Sequence, residues 1–360
     1  MARRVVLHIG PRKTATTYLQ RVLQSLTMSG DLSPDIYPVR TRGRLDHNQV
    51  PGLIDCARAN AEIGLQGDAW THQDGSDADA LLRAVASTAG DVILSAEAMS
   101  VLRPSGASAI VDAFAPAPVD VIVTARALDR VLPSSWQQHV RNANIETYID
   151  YLALRTDERA SHIYESVLNR GFWRAYRYAD LVRRWQEAAR SVAVVTIPAS
   201  SADPGETWRR FVSAAAVDEL PAQPPLIPGD IANISLTGSE TFVLHDLNVA
   251  ARAAGEGRRE VRSRHRRLLR SGWAQRDDRG RRLGLPDTVQ DDVRGWSADD
   301  VADLARCDVA IHGTLSDLTC ASAGSDPGLP TIEEVSSAAQ AARDAQGDAL
   351  GWDRLRDEDA

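Results

Sequence analysis

Lysine is almost missing from this chain: of 41 lysines and arginines in 360 residues, one is a lysine, Lys13, and every other is an arginine. The bias is that of a GC-rich, bacterial coding sequence, and it leaves one position where an ammonium was kept. Cysteine is scarce as well. Cys56, Cys307 and Cys320 are odd in number and far apart, which excludes a disulfide framework and a zinc ligand set and implies a reducing, cytoplasmic compartment. No run approaches the roughly 20 apolar residues of a membrane span. The apolar stretch after the two N-terminal arginines, Val5 to Ile9, is too short for a signal peptide. Excess positive charge is absent too. The formal net charge of −8 argues against nucleic acid as a partner, although a local basic patch can still hold one anion. No internal repeat is present.

What is there suffices for one large α/β domain or two modest ones, with 43% apolar and 25% charged residues. Apolar, β-branched runs at Arg4–Ile9, Asp91–Ala96, Val119–Ala125 and Ser191–Pro198 predict buried strands, each followed by a turn and a helical pattern. That alternation predicts an α/β fold with a central parallel sheet flanked by helices. Leu19, Val22, Leu23 and Leu26 mark the buried face of the first helix, and a second helix is expected over Tyr178 to Arg190. The organisation expected is an α/β core over 1–220, interrupted by an irregular insertion at 31–90. Beyond it lie an Arg-rich helical lid with a return to the core over 221–320 and an acidic, partly mobile tail over 321–360. The segment CDVAIHGTLSDL is expected to add a late strand.

The turn GPRKTATT follows the first strand and opens a helix, where unpaired N–H groups and the positive end of the helix dipole converge on an anion. Gly10 allows the reversal, Thr14, Thr16 and Thr17 offer hydroxyl donors, and Lys13 supplies a compact, mobile cation suited to a site where charge moves. No glycine precedes the lysine, so this is not the G-x-x-x-x-G-K-[ST] loop of nucleotide hydrolases.

The stretch resembles the 5′-phosphosulfate loop of sulfotransferases that use 3′-phosphoadenosine-5′-phosphosulfate, of the bacterial type, with the pattern P-K-[ST]-G-T-[TS] after a first strand. Arg12, Lys13, Thr14, Ala15, Thr16 and Thr17 then bind the donor. Ala15 replaces the usual glycine, which an alanine tolerates if φ stays negative. The family's other mark is an arginine leaving a later strand and a serine eight residues on, which hold the 3′-phosphate. Arg126 and Ser134 have that spacing, with Pro133 expected at the first helical position and Ser134 in the first turn. Trp173 and Trp185 are adenine neighbours or core.

The resemblance covers about residues 1 to 215. It implies a P-loop-like sulfotransferase architecture and in-line transfer of a sulfuryl group to a hydroxyl or amine of a small-molecule or glycan acceptor, with no metal. A general base is needed. Glu97, just beyond the strand DVILSA, is the first choice, His47 in LDHNQ the second, and His139 a third. Residues 257–270, GRREVRSRHRRLLR, read as a helix with Val261, Leu268 and Leu269 on a thin apolar edge, its charged face solvated or attracting an anion. The alternatives are a nucleotide-binding small-molecule kinase and a catalytically inactive binding protein of the same fold.

Overall fold

The computed structural model describes residues 2–38, 53–54, 77–162, 171–199, 203, 205–225, 235–271, 273–276, 278–321 and 327–346. His47 and most of the expected insertion at 31–90 lie outside them. Five strands, β1 (Arg4–His8), β2 (Asp91–Ser95), β3 (Val119–Ala125), β4 (Ser191–Thr196) and β5 (Ala310–His312), form one sheet in the order β2-β1-β3-β4-β5. Every pairing is parallel. This is the α/β sheet expected from the sequence, and β5 comes from the late segment.

β1, β2 and β3 are near-continuous β-branched and aliphatic runs because both faces are covered. On one face Val6, Ile93, Ile122 and Val195 pack with Leu19, Val22, Leu23 and Leu26 of helix α1 (Thr16–Ser29) and with Trp208 and Phe211 of the helix Glu206–Ala215. Alternation turns Val5, Leu7, Leu94, Val121 and Val123, all buried, to the other face. The helix Tyr178–Gln186 meets β3 and β4. It ends four residues short of the Arg190 expected.

The chain divides into two compact units. The sheet unit holds 1–128, 162–230 and 296–319, and the second, helical unit holds 129–161, 231–295 and 320–360. Within the second, Trp136 stacks on Tyr148 with ring centroids 4.7 Å apart, and the fully buried Trp273 donates to the carbonyl of Ala338 at 2.9 Å. The Arg-rich region holds two helices, Gly238–Ala253 and Arg258–Ser271, with Gly255 between them in left-handed backbone at φ 72°. Val261, His265, Leu268 and Leu269 form its buried edge. Among the described residues no helix is long and apolar enough to cross a membrane.

Candidate functional site

The chain visits β2 on one side of β1 and then crosses to β3 on the other, so the topology switches direction between β1 and β3. In parallel sheets the crevice beyond the carboxyl ends at such a point is where ligands bind. The two turns that meet there are residues 9–15 after β1 and residues 126–127 after β3.

Gly10 is obligatory in the first turn. A Cβ there would lie 1.7 Å from Thr124 Oγ1 and 2.9 Å from His8 Nε2. Lys13 and Ala15 both take left-handed backbone, with φ 66° and 65°. Thr14 between them and Thr16 after them do not, so φ alternates in sign along the turn. Such alternation curls successive N–H groups into a concave, anion-binding nest. Ala15, with φ 65° and ψ 9°, is the N-cap of α1 and has no side-chain oxygen to offer its first-turn N–H groups. The expectation of negative φ at Ala15 is therefore corrected: the position has the geometry for which glycine is the usual residue.

Two of the three threonines also differ from expectation. Thr14 is fully buried and donates to the Pro11 carbonyl at 2.6 Å. Thr16, also buried, donates to the carbonyls of Gly10 and Pro11 at 3.2 Å. Their hydroxyls close the turn from within, which leaves the backbone N–H groups, the Thr17 hydroxyl and the Lys13 ammonium as the donors the turn can present. Thr17 is half-buried. Residue type told that hydroxyls were present but not which way they turn.

Glu97 opens a 3₁₀ turn (Glu97–Val101) two residues beyond β2, at the carboxyl edge as expected. The Arg12 guanidinium stands 3.6 Å from its carboxylate. Burial lifts the Glu97 carboxyl above its ordinary pKa, opposed by the charges of Arg12 and Lys13. A carboxylate, a guanidinium and the isolated ammonium thus share one electrostatic neighbourhood.

Arg126 joins the two turns: its Nη1 donates to the Lys13 carbonyl at 3.0 Å. Tyr178 holds its backbone, accepting from the Arg126 N–H at 3.0 Å and donating to the Arg126 carbonyl at 2.8 Å. Tyr176 donates to the carbonyl of Arg12 at 2.7 Å. These two tyrosines, in the sequence RAYRYADL, were not singled out from the sequence. Their spacing of two, astride a break between short helices, was the signal.

Ser134, His139, Trp173 and Trp185 complete the candidates. The helix carrying Ser134 runs from Leu128 to Arg141, so Pro133 lies inside it and Ser134 falls in its second turn, correcting the expectation of the first. Ser134 belongs to the helical unit, whereas Lys13, Glu97 and Arg126 belong to the sheet unit. His139 Nε2 lies 2.5 Å from Glu146 Oε2, within that same helical unit. Trp173 and Trp185 are fully buried, which makes them core.

No protein-family model and no curated protein matches the chain. Among solved structures it is similar to a sulfotransferase from Alicyclobacillus acidocaldarius, at 16% identity and a TM-score of 0.37, over 73% of this chain and all of that one. A likeness at that level speaks to neither substrate nor chemistry.

Proposed function

We propose that the chain is a sulfotransferase that moves the sulfuryl group of 3′-phosphoadenosine-5′-phosphosulfate to a hydroxyl or amine of a small-molecule or glycan acceptor. The observation that carries this reading is the 3.0 Å bond from Arg126 to the Lys13 carbonyl, which ties the turn after β1 to the turn after β3 at the sheet's switch point.

In this scheme the curled N–H groups of residues 13–17 and the positive end of α1 hold the 5′-phosphate. Lys13 neutralises charge on the departing phosphate oxygen, the task for which a point charge on a flexible stem suits better than a planar fork. Arg126 grips the 3′-phosphate in exchange for its bond to Lys13. Glu97 takes the acceptor proton, and its burial-raised pKa brings it nearer the range in which a general base is effective. Arg12 stabilises the Glu97 carboxylate between turnovers. Ser134, in the second turn of its helix, supplies the hydroxyl that assists Arg126 on the 3′-phosphate.

Thermal shift with 3′,5′-ADP, ADP and ATP tests the assignment, because a ligand bound to the native state raises the melting temperature by mass action. A preference for 3′,5′-ADP supports it. A magnesium-dependent preference for ATP points to a kinase, and binding of 3′,5′-ADP without transfer to any acceptor points to an inactive binding protein. Lys13→Ala is expected to retain part of the binding and to lose transfer by roughly 10²–10³-fold, the usual effect of removing one group aimed at developing charge. Arg126→Ala is expected to abolish the preference for 3′,5′-ADP over ADP. If Lys13→Arg transfers as well as the wild type, the argument from the isolated lysine is wrong.

A further inference from the structure

His8 lies on the central strand beneath the anion turn, is fully buried, and has no part in the chemistry above. Its Nδ1 is 2.8 Å from Ser95 Oγ and its Nε2 is 3.3 Å from Thr124 Oγ1. Thr124 Oγ1 lies 2.7 Å from Thr14 Oγ1, and Thr14 donates to the Pro11 carbonyl at 2.6 Å. At the other end Gln20, on α1, donates to Ser95 Oγ at 3.1 Å and to the Ser95 carbonyl at 3.3 Å.

Each hydroxyl has one proton, and this fixes the direction of the whole series. Thr14 spends its proton on the Pro11 carbonyl, so it accepts from Thr124. Thr124 has then spent its own, so it accepts from His8, whose Nε2 must bear hydrogen. Burial pushes the His8 pKa down to about 3, so the ring is neutral and Nδ1 is bare. Ser95 therefore donates to Nδ1 and accepts from Gln20. The chain of bonds runs one way, from Gln20 through Ser95, His8, Thr124 and Thr14 to the backbone of the turn.

We infer that His8 and Thr124 are positioning residues that hold the anion turn in its strained form through Thr14, the residue between the two left-handed positions. Lys13 and Ala15 each sit in backbone that persists only where the surroundings over-determine it. The Thr14 side chain is the anchor between them. Gly10 lets Thr124 and His8 come close enough to reach it. Ser95 lies two residues before Glu97, so the same chain ties the end of β2 to the turn bearing Lys13. The inference uses the proposed donor only in its choice of ligand.

Two measurements test it. In ¹⁵N spectra of the wild-type protein between about pH 6 and 8, His8 is expected with hydrogen on Nε2 and none on Nδ1. A proton on Nδ1 overturns the inference, and no variant has to fold for this to be read. Second, Thr124→Ser keeps the hydroxyl, while Thr124→Val keeps the shape and removes the proton. The serine variant is expected to bind 3′,5′-ADP much as the wild type does. The valine variant is expected to bind roughly tenfold more weakly, the size of one lost buried hydrogen bond, with faster amide exchange over residues 12–17. Equal affinity and equal exchange in the two variants overturn the inference, even if the valine variant melts lower. Should the wild type ignore 3′,5′-ADP, the donor assignment fails, and the tautomer and the amide exchange still decide whether His8 holds the turn.

Discussion

At the scale of single residues the anion turn stores strain that one substitution can release. Ala15 has a Cβ in left-handed backbone, a conformation that costs an L-residue about 1–2 kcal/mol and glycine almost nothing. The helix that follows keeps Ala15 there as its N-cap. Ala15→Gly is expected to raise stability by about 1 kcal/mol, offset in part by the greater freedom glycine has when unfolded, as read from urea midpoints. A loss of stability would mean that Ala15 is not strained. Lys13 was legible in the sequence because scarcity isolated it, and Glu97 because it follows a strand. The inward turn of the Thr14 and Thr16 hydroxyls was not legible, since it depends on which carbonyls the folded turn brings near. His8 escaped notice because its neighbours Ser95 and Thr124 lie 87 and 116 residues away in the chain.

At the scale of elements, β1 to β4 were legible to within two residues because a strand buried on both faces writes a nearly uninterrupted apolar run, whereas the short, partly exposed β5 was legible only as a segment. Helix ends were less so. In VLPSSW the proline and the two serines resemble a helix start, yet the helix already began at Leu128 with Asp129 in its first turn. The start that can be verified by energy is that of the helix Gly238–Ala253. Thr237 and Glu240 form a reciprocal capping box there, and Glu240 is fully buried. Arg279 donates to both of its carboxylate oxygens, at 2.8 and 2.6 Å. Arg279→Ala would leave that carboxylate buried and unpaired, and is expected to destabilise the protein by about 3–5 kcal/mol. Removing charge from both partners, Arg279→Met with Glu240→Gln, is expected to recover most of the loss. A single-variant effect below about 1 kcal/mol would show the pair to be exchangeable with water.

At the scale of the molecule, stability should fall with acid well before the buried Asp91 is protonated. Asp91, its side chain fully buried, is held by Arg3 and Arg4 at 2.7 and 2.9 Å. Although burial alone would raise its pKa, hydrogen bonds from Arg3 and Arg4 and their charges bring it below the ordinary carboxylate value. Its contribution is present above the unfolded value of 3.8 and is lost only as pH falls through the lower folded one. His8 acts earlier. Burial lowers its pKa from 6.5 to about 3, and that of His265, in the helical unit, to about 4. Below pH 6.5 the unfolded chain takes up protons that the folded chain refuses, so each histidine costs about 1.4 kcal/mol per pH unit. Between pH 7.5 and 5.0 the sheet unit should therefore lose about 2 kcal/mol through His8 alone. His8→Gln is expected to be less stable at pH 7.5, because Thr124 and Ser95 lose their partner, yet to lose less on acidification. Urea midpoints of both proteins at the two pH values measure this. Parallel decline of the two would show that His8 does not titrate on unfolding, and that the ring beneath the anion turn is not held neutral by its burial.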